Sequence, residues 1–333
     1  VYILFLPQLR RRKRKGQRTP VESYSSIYKM ILLTVTPMVL SAALYNVSPF
    51  IDNYMIYAVM EKLNYPEPDI QTMHGIYTGK YLLMVNIPVA IANALSSAML
   101  PNIAAAKSRG DASGILSKAQ LTVKVTMLIA IPCTVGLAVL GGPLIQLIFG
   151  VSEKYPSLAG DLLLYGSSFV LFFALSTVTN AILQATDLLK YPVIHSAVAL
   201  VVHTILAFVL MNYFDLKVWG LVISTIVFAV VLCVLNNLVL WQKLRFRMNW
   251  KQTFGIPLIA SVFMGVMCWG GYFVVQFITK SNTWGFFVAF LLGVITYFIA
   301  LFMFNGVTEE ELNSIPKGYL IVRLAKKLHL FYE

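Results

Sequence analysis

The sequence predicts an all-α polytopic membrane protein with eight transmembrane helices. Of its 333 residues, 58% are hydrophobic and only 12% are charged, and apolar stretches of about 20 residues recur along the chain. Soluble domains carry about 25% charged residues, so a soluble enzyme of this size would lack the polar surface it needs. Intrinsic disorder is excluded as well, because it requires low hydrophobicity.

Eight apolar stretches are long enough to cross a hydrocarbon core of about 30 Å. The stretches cover 27–58, 76–103, 119–141, 160–186, 191–214, 218–242, 253–279 and 283–305. The first would be about 48 Å long as one helix, so it must tilt, bend at Pro37 or Pro49, or protrude. The segment Gly141–Gly150 is apolar but too short to span, and we expect a short interfacial helix there, with a re-entrant loop as the alternative.

Both ends of the chain carry basic segments. Residues 1–9 look like the last two turns of an apolar helix, and a basic run over 10–18 follows them. With no basic segment before the apolar residues, a signal peptide is not indicated, and we expect the end of a preceding helix from a longer protein. Residues 319–332 have the pattern of a basic amphipathic helix, suited to an anionic membrane surface.

The net charge of +12 is interpreted as a topology signal. If the run 10–18 is cytoplasmic, the eight spans place 21 of the 26 basic residues on the same side of the membrane. Cytoplasmic segments of membrane proteins are enriched in Lys and Arg in this way. The same surplus would attract anionic phospholipids, and a nucleic-acid partner is therefore not predicted.

No catalytic or cofactor motif accompanies these spans. The chain has no phosphate-binding loop and no zinc-binding helix motif, and its three cysteines are far apart in sequence. We therefore predict no enzyme activity, no metal and no cofactor. His195 and His203 share one span without an acidic partner in it, and we interpret them as polar residues between helices rather than as a metal or proton site.

The ionisable residues inside the spans are the candidate functional groups, because such residues are costly in a membrane and usually face a cavity or a partner. Asp52, followed by Asn53, is the only carboxylate well within an apolar span, and Lys80 lies near the outer end of the next span. The two charges could pair across adjacent helices. They either line a cavity that meets an anionic substrate, or form a structural ion pair with a snorkelling lysine.

Amide side chains form a second set of candidates. Asn86 and Asn93 lie seven residues apart, about two turns, on one face of their span, and Asn180 and Gln184 are an i, i+4 pair near the inner end of theirs. Such amides either line a polar cavity or hydrogen-bond one helix to another.

Three stretches resemble a known transporter superfamily, and they occur in the expected order. They are 87–101 followed by Arg109-Gly110-Asp111, 142–150, and 180–185 followed by Tyr191-Pro192. On these residues the chain resembles the flippases of the multidrug/oligosaccharidyl-lipid/polysaccharide exporter superfamily. It is most similar to the polysaccharide biosynthesis branch with the stage V sporulation protein B and lipid II flippase types.

The resemblance implies fourteen spans, arranged as two six-helix lobes and a final helix pair. Mapped onto this chain, 1–18 would be the end of a preceding helix and a basic cytoplasmic loop, and 19–250 the second lobe. Residues 251–306 would be the terminal pair, and 307–333 a cytoplasmic tail. The N-terminal lobe would be missing, and transport would need it.

The resemblance also implies the activity: export of undecaprenyl-pyrophosphate-linked cell-wall or polysaccharide precursors across the bacterial plasma membrane by alternating access. Lipid II flippases carry an arginine in a Tyr-x-Asp-Arg context; here Lys80 keeps the cation while Gly79 replaces the acid. Lys80 would meet the pyrophosphate, and Asp52 would balance Lys80 or bind a coupling ion. The alternatives are a cation-coupled multidrug exporter of the same superfamily and a non-transporting scaffold for cell-wall enzymes.

Overall fold

The structure, a computed structural model, describes residues 23–150 and 154–307, apart from the side chains of residues 27, 30 and 34. Over these ranges the chain forms helices and no strands. Eight helical segments are long and apolar enough to cross a membrane, which confirms the predicted all-α polytopic fold. The predicted helix end and basic loop at 1–18 and the predicted amphipathic helix at 319–332 lie outside the described residues.

The described residues form ten α-helices and two π-helical segments, and all of them except α5 belong to the eight spans. The α-helices are α1 (Tyr24–Lys62), α2 (Glu67–Gly75), α3 (Leu83–Ser108), α4 (Ala112–Phe149), α5 (Leu158–Gly166), α6 (Ser168–Ala185), α7 (Lys190–Asn212), α8 (Val218–Leu244), α9 (Ile256–Thr279) and α10 (Asn282–Met303). The segment π1 (Ile76–Leu82) joins α2 to α3, and π2 (Lys251–Gly255) leads into α9.

Helix α1 is one continuous helix of 39 residues, with Pro37 and Pro49 inside it. It starts at a serine cap, because the Ser23 side chain accepts a hydrogen bond from the backbone N–H of Ser26 at 3.2 Å. At 1.5 Å per residue it is about 58 Å long, longer than the predicted stretch at both ends. It therefore has to tilt or extend beyond the hydrocarbon core.

The expected interfacial helix at Gly141–Gly150 is wrong, because α4 runs without interruption to Phe149. Its glycines serve close helix packing rather than a chain break. A Cβ at Gly141 would lie 2.7 Å from the Leu163 side chain of α5, and one at Gly160 would lie 3.0 Å from the Gly142 backbone. The helix ends only at Gly150, which has a positive φ of 69°.

The helices from α1 to α8 pack in a bundle. Helix α1 lies against α7, α7 against α8, α8 against α6, and α6 against both α3 and α4. One apolar core, which includes Ile56, Tyr77 and Leu162, fills the half of the bundle that the predicted topology places on the outer side. A second fills the other, inner half around Met127 and Ile182. Buried side chains of α1 thus meet the bundle mainly through α7 and, at the outer end, through α2.

The last two spans pack against each other and against α4. Pro132 lies inside α4 and has no N–H, so the carbonyl of Leu128, four residues earlier, loses its usual helical partner. The Tyr297 hydroxyl of α10 donates to this carbonyl at 2.6 Å. At the outer end, the Asn282 side chain donates to the Pro143 carbonyl at 3.0 Å. These two bonds fix the helix pair on α4.

Candidate functional site

A buried polar cluster around Asp52 joins three helical segments in the outer half of the bundle. Asp52 of α1 is 2% exposed, and His203 of α7 is fully buried. His203 Nε2 lies 2.8 Å from Asp52 Oδ1 and 3.1 Å from the Ser48 hydroxyl. The Tyr77 hydroxyl of π1 donates to Asp52 Oδ2 at 2.9 Å. Both carboxylate oxygens therefore have a donor, which offsets part of the cost of burying the charge.

This geometry corrects two expectations. Asp52 is hydrogen-bonded to His203 and Tyr77, so the predicted pairing of Asp52 with Lys80 is wrong. His203 does have an acidic partner, because the carboxylate comes from α1, 151 residues earlier in the chain. Hydropathy marks each of these residues as an ionisable group in an apolar span, but nothing in their spacing connects them.

Lys80 lies in π1, where i→i+5 hydrogen bonds replace the α-helical pattern. Its side chain therefore points in a different direction from the one a regular α-helix would give it. Such insertions occur frequently at functional sites. Tyr77 and Tyr81 are fully buried and stack with ring centroids 5.7 Å apart. The Tyr81 hydroxyl donates to the Gly166 carbonyl at 3.1 Å. These two tyrosines thus anchor π1 to its neighbours, although the sequence did not single them out as site residues.

Lys80 is half-buried and lies at the edge of π1 that faces α4. Its Nζ atom is 5.8 Å from the centre of the Phe149 ring, at the outer end of α4. A cation over an aromatic face gains an electrostatic attraction of about 0.5–1 kcal/mol at an exposed site. The ring holds the ammonium group without neutralising it, so the positive charge stays available to an anion.

The predicted amides fall into an exposed group and a half-buried one. Asn53, Asn86 and Asn93 are exposed, and Asn53 Oδ1 lies 2.8 Å from His74 Nε2, at the end of α2 that adjoins π1. Asn180 and Gln184 on α6 are half-buried, and the buried Asn180 Oδ1 has no hydrogen-bond partner among the described residues. The exposed amides of α3 follow Lys80 along the same continuous helical segment, 67–108.

His195 lies two turns from His203 on α7 and has an uncharged environment. Its Nδ1 atom is 2.7 Å from Asn236 Oδ1, and the Asn236 amide also donates to the Ser176 carbonyl and the Thr179 hydroxyl, each at 3.2 Å. This arrangement is the interhelical hydrogen bonding that the sequence predicts for His195.

An open groove of about 730 Å³ lies between α1 and α7, on the outer side of the cluster. It is lined by Phe50, Ile51, Tyr54, Met55, Ala58, Val59, Lys62, Thr204, Ile205 and Phe208. The lining is almost entirely apolar, and Lys62 at its outer end donates to Asn212 Oδ1 at 2.9 Å. A groove of this chemistry is suited to alkyl chains.

Polar contacts tie the loops at the outer face together. The Tyr65 hydroxyl donates to Asp215 Oδ2 at 2.6 Å, and this bond raises the pKa of Tyr65 because it is lost when the phenol ionises. Lys154 pairs with Asp69, which raises the pKa of the lysine. These contacts tie together the loops that follow α1, α4 and α7.

Comparison with known proteins gives consistent matches. A family model described as lipid II flippase MurJ matches residues 3–294. The lipid II flippase MurJ of Bacillus subtilis is 29% identical over 136 residues, which are 41% of this chain and 25% of that protein. The alignment thus spans a quarter of the curated relative.

Two solved structures share the fold. A MOP superfamily transporter from Pyrococcus furiosus superimposes with a TM-score of 0.51 and 13% identity, over 87% of this chain and 67% of that one. An outward-facing multidrug resistance transporter of the MATE family, in the same superfamily, has a TM-score of 0.50 and 13% identity, over 88% and 67%. At this identity the likeness concerns the fold alone.

Proposed function

Because the chain belongs to the lipid II flippase family, we propose that it moves lipid-linked cell-wall precursors, with a sugar–pyrophosphate head, to the outer leaflet. Family membership and the eight apolar helices place it in the bacterial plasma membrane as a multi-pass protein. Its work is transport, which needs binding and conformational change rather than covalent chemistry.

The observation that carries the proposal is the set of polar side chains that α3 exposes among the apolar side chains of Leu83, Ile87 and Ile91. Asn86 and Asn93 are exposed at membrane depth on the helical segment 67–108, which also carries the half-buried Lys80. Polar groups in contact with lipid tails have no hydrogen-bond partners, so such a face is stable only beside water or protein. A hydrated path along this face would let the polar head cross while the prenyl tail stays in lipid.

Lys80 is the group we assign to the pyrophosphate. An ammonium group forms charge-assisted hydrogen bonds with phosphate oxygens as a point charge, without the two-pronged geometry of arginine. The face of Phe149, 5.8 Å away, keeps the ammonium oriented and leaves its charge unpaired by a carboxylate. The amides at Asn86 and Asn93 would then hydrogen-bond the sugar as it passes.

The division of the chain follows the same proposal. Residues 19–250 would act as one lobe, with its polar face turned to a second lobe that completes the path. Residues 251–306 would guide the prenyl tail along the apolar surface of α9 and α10. Large exposed apolar side chains on both helices support this role, including Phe263, Phe277 and Phe290.

Complementation tests the role of Lys80. Expressed from its own gene in a strain depleted of lipid II flippase, the wild-type protein should restore growth. The Lys80→Glu variant should fail at equal membrane abundance, since it would repel the pyrophosphate, and Lys80→Arg should retain activity. Lys280→Glu is the matched control, because it makes the same charge change at an exposed outer position on the terminal pair. Full rescue by Lys80→Glu would remove this lysine from the mechanism.

A multidrug exporter of cationic compounds is the main competing function. Such a pump needs a carboxylate that the cargo can reach, whereas Asp52 is 2% exposed and already bonded by His203 and Tyr77. Efflux of a cationic dye that depends on Asp52 would favour the exporter. A scaffold for cell-wall enzymes would instead tolerate Lys80→Glu without loss of growth.

A further inference from the structure

The open groove between α1 and α7 is a feature that the proposed transport path does not use. Its walls are large apolar side chains that stand away from the bundle: Phe50 and Tyr54 of α1 are each 74% exposed, and Ile205 of α7 is 60% exposed. A groove at membrane depth does not stay empty, because side chains that line a void lose their van der Waals contacts. Either lipid or protein therefore fills it.

The length of the groove matches one leaflet of a membrane. Along α1 its lining runs from Phe50 to Lys62, which is about 18 Å at 1.5 Å per residue. One leaflet supplies half of a hydrocarbon core of about 30 Å, and a phospholipid acyl chain covers that depth. An undecaprenyl chain is much longer than one leaflet is deep. The predicted topology places Lys62 on the outer side, so an acyl chain in the groove would belong to an outer-leaflet lipid.

The polarity of the groove is that of a lipid, with an apolar body and one charged end. Apart from the Tyr54 phenol, only Thr204 and Lys62 among the ten lining residues have polar side chains. The Thr204 hydroxyl donates to the carbonyl of Leu200 in its own helix at 2.8 Å. Lys62 donates one of its three ammonium hydrogens to Asn212 Oδ1 at 2.9 Å and makes no ion pair with a described carboxylate.

The charges around this end leave Lys62 available to an anion. Asp215 accepts a hydrogen bond from the Tyr65 hydroxyl at 2.6 Å, and Lys217 Nζ lies 4.8 Å from the centre of the Tyr65 ring. This carboxylate thus has a donor of its own and a second lysine over the same ring. Glu61 precedes Lys62 in the chain and is exposed, but it does not line the groove.

We propose that the groove binds an acyl chain of an anionic phospholipid from the outer leaflet, with the phosphate of its head group at Lys62. The ammonium group forms charge-assisted hydrogen bonds with phosphate oxygens, while the apolar walls contact the chain. A lipid seated here touches α1 and α7 together, so it stabilises the arrangement in which both helices line the groove. The site is separate from the Lys80 face and from the terminal pair, and it does not rest on the proposed function.

The test is photo-crosslinking of the wild-type protein in phosphatidylcholine bilayers that contain a trace of phosphatidylglycerol with a diazirine in the middle of one acyl chain. Mass spectrometry should locate the crosslinks in residues 50–59 and 204–208. Lys62→Gln, which can still donate to Asn212, should lower this yield about fivefold, the effect of one cation on an anionic lipid. The yield with equally labelled phosphatidylcholine should not change. Lys280→Gln is the matched control, because Lys280 is an exposed lysine on the terminal pair, and it should have no effect.

A second variant tests the apolar part of the site. Ala58→Trp should fill the groove and remove the crosslinks of both lipids, with size-exclusion profiles and thermal unfolding establishing that each variant is folded. Equal phosphatidylglycerol yields in wild type and Lys62→Gln would overturn the proposal, as would crosslinks spread evenly over the lipid-facing helices. A wild-type protein without crosslinks in the groove would overturn it by showing that protein covers this surface. Stronger displacement by undecaprenyl pyrophosphate than by unlabelled phosphatidylglycerol would assign the groove to the cargo tail instead.

Discussion

Helices α9 and α10 pack so closely along their seam that we expect one added methyl group between them to lower the free energy of unfolding, and a second substitution to restore it. A Cβ built at Gly293 lies 2.3 Å from the Cys268 Sγ atom, whereas ordinary contacts begin at 3.4 Å. The helices would have to separate by about an ångström, because the thiol is held by its contact to the Ala289 carbonyl. Overpacking of this kind costs about 1–3 kcal/mol, so Gly293→Ala should destabilise the protein by that amount.

A second substitution should reverse the loss. Cys268→Ala removes the sulfur, and the next neighbour of the new methyl group, Met264 Cγ, is 3.4 Å away. On this background Gly293→Ala should cost nothing, or gain the 0.5–1 kcal/mol or so that alanine offers over glycine within a helix. Gly270→Ala is the matched control, because a Cβ at Gly270 meets nothing within 4 Å.

The free energy of unfolding is measured by titrating the purified variants with sodium dodecyl sulfate in mixed micelles and following tryptophan fluorescence. The double-mutant cycle then isolates the clash from the other effects of each substitution. Equal stability of Gly293→Ala and Gly270→Ala would refute the packing of this seam. Additive effects of Gly293→Ala and Cys268→Ala would refute it equally, because the coupling requires direct contact.

Two further predictions concern hydrogen bonds of the site and of a helix start. Tyr77→Phe should lower unfolding free energy by about 1.5–3 kcal/mol, against about 0.5–1.5 for Tyr81→Phe, because only Tyr77 donates to a carboxylate, that of Asp52. The Gly114 N–H lowers the pKa of Asp111 at the start of α4. This stabilisation is complete above about pH 4 and is lost as the pH falls below it, so stability in Asp111→Ala should vary less between pH 6 and pH 3 than in wild type.

The sequence identifies candidate residues for the site but not their contacts. Asp52 and Lys80 stand out in the sequence because each is an ionisable group in an apolar stretch, and the shared face of Asn86 and Asn93 follows from their spacing of seven. Their partners depend on segments far away in the chain. His203 bonds a residue 151 positions earlier in the chain, so the sequence alone does not identify it as part of the cluster.

The local departures from α-helical geometry could not be predicted from the sequence either. The π-helical insertion at 76–82 leaves the mean hydropathy of its span unchanged, yet it decides which side of the helix Lys80 and the two tyrosines occupy. Likewise, the sequence predicts a separate short helix over Gly141–Gly150, whereas Gly141 and Gly142 lie within α4 and allow α5 to approach it closely. Whether a glycine ends a helix or packs against one depends on what lies opposite.

The sequence by itself determined the number of spans, their placement along the chain and the family. Those properties are local, since a spanning helix needs only about 20 apolar residues in a row and motifs keep their order. The tertiary structure alone decided that Asp52 meets His203, that Lys80 faces Phe149 and that Tyr297 fills the gap left by Pro132. Such contacts depend on how each helix is rotated against its neighbours, which is set by the packing of the whole bundle.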